Sequence, residues 1–129
     1  MSLNPQAEAI VPKIQYELGQ FHYCYERMCH EWKEAEQGLR NMLIEDFMLH
    51  ARVLRGFFVD KPKNKDEDVS ARDFFDDPAP WKTKTAQLCP YLKKHQERLN
   101  KRIAHLTYSR LNEDEGWKEH IVYKEIMTA

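Results

Sequence analysis

The chain has little charge of either sign to spare: 20 Lys and Arg stand against 21 Asp and Glu, for a formal charge of -1. That balance excludes whole-molecule attraction to nucleic acid, polyanions or a membrane surface, so any nucleic-acid surface has to be local. Cysteine is scarce as well. Cys24, Cys29 and Cys89 make an odd set with no Cys-x-x-Cys pair, which argues against a secreted disulfide scaffold and for reduced thiols in the cytoplasm. The N-terminal residues contain no apolar run of signal or membrane-spanning length, so the expectation is a soluble cytoplasmic chain with no membrane partner. With 129 residues and 42% hydrophobic composition, one domain over 1–129 can bury a substantial core without a metal or disulfide, whereas two would be cramped.

What is present is helical periodicity. Ile14, Leu18, Phe21, Tyr25, Met28 and Trp32 recur at steps of four and three, predicting a helix over 6–32 with one apolar stripe. Pro12 places the first turn near itself or introduces a bend. Gly19 weakens the interior but permits close helix approach. A second helix is predicted over 34–58, with Leu39, Leu43, Phe47, Leu54 and Phe57 inward and Met42, Leu49, Val53 and Phe58 broadening the buried face. Either helix alone would leave its stripe wet, and antiparallel packing relieves both.

The pattern changes from Asp60 to Lys84. Residues 61–68 read as a charged linker, after which Ser70 can cap a short helical turn holding Phe74 and Phe75, ended by the Asp76-Asp77-Pro78-Ala79-Pro80 run. Phe74, Phe75 and Trp81 are expected to tether this arm to the bundle. A third helix is predicted from Pro90 towards His105, with 83–89 as a turn or kinked extension before it. Asn112 and Glu115 supply a capping box for a last helix carrying Trp117, Ile121 and the stem of Lys124. The fold expectation is therefore all-α, a four-helix up-down bundle with a charged linker and a short helical arm.

Polar residues on apolar spacings are the candidates for chemistry. His50 and His95 could face one another in a buried network or belong to a catalytic pocket, while local hydrogen bonding is the commoner role for a core histidine. His22, Glu26 and His30 lie on one helix face, but the two histidines are separated by about 12 Å of helix rise. One ion cannot comfortably take both; a site could instead draw single histidines from different helices, but with no compact His-x-x-x-His or Cys-x-x-Cys signature no metal or other cofactor is expected. A more coherent face is formed by Arg98, Arg102 and His105, spaced four and three apart beside Leu99, Ile103 and Leu106. Arginine there could hold a phosphate, and neutral histidine could take the 2'-hydroxyl proton during RNA cleavage. Tyr108 could stack a base and Ser109 position a phosphate, although ordinary helix-end polarity accounts for both equally simply.

The run Asn100-Lys101-Arg102-Ile103-Ala104-His105-Leu106-Thr107, with 47–58 and Asp73-Phe74-Phe75, resembles the HEPN superfamily, including its abortive-infection-like and toxin-like helical proteins. The compared features span most of 42–110. The resemblance implies an all-helical homodimer whose facing arginine-histidine motifs form a metal-independent ribonuclease site, or else a non-catalytic RNA-associated or structural domain. It gives Asn100 the role of orienting His105 or substrate. The residue before Asn100 is Leu99, where the family pattern has arginine; Arg98 meets only a looser spacing, and a shift of one position turns a helical side chain by about 100°. The expectations are thus an endoribonuclease using Arg98, Asn100, Arg102 and His105, or a non-catalytic dimeric regulatory or scaffold protein. The partner is a second copy with RNA or an acidic protein.

Overall fold

The stripe beginning at Ile14 folds as α1, Pro5–Glu31, and its partner as α2, Gln37–Phe58. The structure, a computed structural model, describes residues 5–60, 67–85, 87–98 and 117–129. Next come a 3-10 turn, Ala71–Phe74, and then α3, Ala79–Thr85, α4, Pro90–Lys94, α5, Gln96–Arg98, and α6, Glu119–Met127. Among the described residues there is no strand. No helix among them is long and apolar enough to cross a membrane.

α1 and α2 run antiparallel, as rising numbers on one meet falling numbers on the other. Glu17 meets His50, Phe21 stacks on Phe47 at 4.6 Å, Cys24 meets Asp46, and Arg40 donates to the Trp32 carbonyl at 2.9 Å. The short 32–36 connection permits this, with Trp32 and Ala35 amides returning to Met28 and Glu31 carbonyls. α6 covers one side of the pair: Tyr123 stacks on Tyr25 at 3.9 Å and on Phe21 at 5.6 Å. Phe21, Phe47, Met48, Leu54, Leu92, Val122 and Ile126 form the deepest part of the core.

Several expectations change in detail. Pro12 sits inside α1 rather than at its start; Glu8 and Pro12 are both exposed, so water can serve the carbonyl that lacks an amide partner. Gly19 serves no close approach, because a Cβ there would have no atom within 4 Å. Met42, Leu49 and Val53 are not buried but 67%, 44% and 45% exposed, because α1 and α6 cover only the face of α2 that carries Phe47, Met48, Ala51 and Leu54. The third helix is interrupted: α4 and α5 are separated by His95, at φ -103 and ψ 17.

The arm is tethered as its aromatics require. Ser70 and Asp73 form the capping box of the 3-10 turn, Phe74 packs edge-on to Phe57 at 6.0 Å, and Trp81 donates its indole N–H to the Phe58 carbonyl at 3.1 Å. Pro78 and Pro80 do not stop a helix but flank and enter the first turn of α3, where a missing N–H costs nothing. Asn112 and Glu115 lie outside the described residues.

Candidate functional site

Glu17 and Cys24, seven residues apart, share one edge of α1, and Asp46 and His50, four apart, share the facing edge of α2. Antiparallel packing brings the four together in one polar chain. Cys24 Sγ donates to Asp46 Oδ2 at 2.8 Å, His50 Nε2 lies 3.4 Å from Asp46 Oδ1, and His50 Nδ1 bonds Glu17 Oε2. Both ring nitrogens of His50 thus face carboxylates. Burial, together with the Asp46 carboxylate, pushes the Cys24 thiol up to about 12. A thiol held so high is not a nucleophile, and Asp46 rather than His50 is its partner, so this is no cysteine-histidine catalytic pair. What the network can do is lock the α1–α2 register with charge-assisted bonds.

The network opens onto a groove of about 880 Å³ between the start of α1 and the end of α2. Glu17 stands in its wall among Ile10, Ile14, Val53, Leu54 and Phe57. A smaller cleft of about 300 Å³, lined by Tyr25, Cys29, Trp32, Glu119 and His120, lies between α1 and α6. Arg55, on the buried face of α2, pairs with Asp60 at 3.0 Å, and its Nε has no hydrogen-bond partner.

The predicted catalytic residues fall at the margin of what is described. Arg98 is the last residue of α5, whereas Asn100, Arg102 and His105 lie outside the described residues, as do Tyr108 and Ser109. What leads to Arg98 is well anchored. The Glu125 carboxylate accepts from the Tyr91 and Leu92 amides at 2.8 and 3.3 Å, capping α4 where Pro90 offers no N–H. Cys89 before it adopts φ 52, and burial and Glu125 push its thiol up to about 11.

His50 and His95 occupy different clusters, the latter packing against Tyr91 at 4.4 Å and Trp117 at 6.4 Å. His22 meets the Tyr123 hydroxyl through Nδ1 at 2.5 Å and Glu26 through Nε2 at 3.1 Å. Tyr123 and Glu26 thus engage both ring nitrogens of His22. Among the described residues no three His, Cys, Asp or Glu side chains are grouped to hold a metal ion. Sequence reasoning singled out His50 but missed Glu17, Cys24 and Asp46. The available signal was the four-residue Asp46–His50 step; Glu17 and Cys24 are ordinary residues until α1 meets α2. No family model, curated protein or solved structure matches this chain.

Proposed function

We propose that this chain acts on RNA as a metal-independent, HEPN-like endoribonuclease. In this reading Arg98 and Arg102 hold phosphate, and neutral His105 takes the 2'-hydroxyl proton as the 2'-oxygen attacks phosphorus, while the 5'-oxygen leaves and takes a proton from water. The arginines stabilise the charge that develops on the phosphoryl oxygens, and Asn100 orients His105 or the substrate. The reading carries with it a four-helix up-down bundle in one domain and a homodimer pairing the two His105 faces across a two-fold axis.

The observation that carries it is the four-and-three spacing of Arg98, Arg102 and His105 in a chain whose described elements are all helical. Three of the five other histidines, His22, His50 and His95, are already engaged by Tyr123 and Glu26, by Glu17 and Asp46, and by Tyr91 and Trp117. A second reading, a non-catalytic dimeric scaffold, is favoured by the exposed apolar residues Met42, Leu49 and Val53 on α2.

The test is incubation of the purified protein with structured transfer RNA and with unstructured RNA in chelator, beside His105→Ala. Cleavage that survives chelator and falls by about 100-fold or more in His105→Ala is the expected outcome. Intact protein that leaves both RNAs whole moves the assignment to the scaffold. Binding at two salt concentrations then asks what the face holds: Arg102→Ala should weaken RNA binding and flatten its salt dependence by about one phosphate contact. Salt-insensitive binding would point instead to an acidic protein partner.

A further inference from the structure

We propose that the exposed face of α2 is the seam of a two-fold homodimer, in which α2 packs antiparallel against α2 of a second copy. The proposal rests on the dimeric element common to both readings and adds the α2 face to the contact between copies, about the same two-fold axis that in that reading pairs the His105 faces. Leu39, Met42, Asp46, Leu49, Val53 and Gly56 recur at alternating steps of three and four. That is the rhythm of a coiled-coil seam, sustained here over about 25 Å of helix. Met42 and Leu49 lie opposite Phe47, Met48, Ala51 and Leu54, which pack in the core, while Asp46 and Val53 stand at the edge of the stripe towards α1; Met42, Leu49 and Val53 are exposed. A helix that is apolar on two faces needs a second surface to cover it.

Two residues in the stripe look unsuited to a free surface or a seam until their surroundings are counted. Asp46 would be costly to cover if bare, but it already accepts from Cys24 and faces His50, so its carboxylate keeps its polar partners. Gly56 answers no need within its own chain, since a Cβ there would meet only the end of the Asp60 side chain at 3.9 Å. Its bare backbone is open to a side chain from outside.

Charge selects the direction. Glu45 and Arg52 lie seven residues apart along one edge of the stripe, and neither has an ion-pair partner among the described residues. Antiparallel pairing sets Glu45 against Arg52 of the second copy, and the two-fold axis repeats the pair. Met42 then faces Val53, Asp46 faces Leu49, and Leu39 covers Gly56 of the second copy. Parallel pairing would lay the same edge against Leu43, His50 and Phe57, leaving Arg52 without an acid.

Sedimentation equilibrium over a wide dilution series, with circular dichroism to confirm helix content, tests the seam. The intact protein is expected to dimerise, and Leu49→Glu, altering a residue exposed in the monomer, to raise the dimer Kd by about 100-fold or more with helicity unchanged. Glu45→Arg and Arg52→Glu should each weaken the dimer by about tenfold, and the double reversal should restore it. An intact protein that stays monomeric overturns the seam and the dimeric reading together. A dimer indifferent to Leu49→Glu overturns the seam alone, and a double reversal that fails to restore association overturns the antiparallel pairing.

Discussion

At the scale of single residues, the three thiols differ because burial differs. Cys29 is exposed, while Cys24 and Cys89 are buried and pushed up to about 12 and about 11 from an ordinary 9.0. At mildly alkaline pH an aromatic disulfide reagent should therefore react rapidly with one thiol in the native chain and with all three of the sequence in denaturant. Rapid reaction of all three without denaturant would contradict this placement. The same shifts fix the sign of a pH effect. Below pH 9 both states keep these thiols protonated; above it the unfolded chain ionises while the folded chain resists, so stability falls as pH rises towards 11 for Cys89 and 12 for Cys24. The loss approaches about 1.4 kcal/mol per pH unit for each thiol in its window. Denaturant titrations at pH 8 and pH 10 measure it, and Cys24→Ser, which keeps a donor for Asp46 but does not ionise there, should make the decline shallower. His50 acts through bonding at both ends, so His50→Leu, which removes the Glu17 bond and leaves Asp46 with Cys24 alone, should cost about 1–3 kcal/mol. His50→Gln should recover part of that in the same titration.

At the scale of elements, each helix carries a local strength or defect that substitution can reach. α1 contains Gly19 at an exposed interior position with open space around it. Gly19→Ala should stabilise the protein by about 1 kcal/mol, read as a higher melting temperature, because alanine loses less backbone entropy and no neighbour has to move. α4 is only 5 residues long and depends on a distant acid for its cap. Glu125→Ala leaves the Tyr91 and Leu92 amides without that acceptor and should cost about 1–3 kcal/mol, with faster hydrogen exchange first at those two amides. The 27 residues of α1 and the 22 of α2 were legible from their stripes, as was the Ser70 cap. The break at His95 was not, because the apolar spacing of Leu88, Leu92 and Leu99 runs through it without a Gly or Pro to mark a stop.

At the scale of the whole molecule, coverage of α2 links the fold to the proposed dimer. If two copies share the α2 seam, folding and association are coupled, and the melting temperature should rise with protein concentration in the intact chain but not in Leu49→Glu. A concentration-independent melting temperature in both would speak against the coupling. The sequence by itself determined the helical class, the two long amphipathic segments and the aromatic tether of the arm, because periodicity and capping act through residues near one another along the chain. It also marked Arg98, Arg102 and His105 as the nucleic-acid candidate, a local spacing that needs no tertiary partner to be noticed, and Asn100 joined them through the resemblance alone. Only the tertiary structure decided that Met42, Leu49 and Val53 stay outside, since a wide apolar helix does not announce which of its faces its own chain will cover. It alone assembled Glu17, Cys24, Asp46 and His50, which no motif connects. Their network exists because two antiparallel helices meet in one register, and register is set by what packs between them: Phe21 on Phe47.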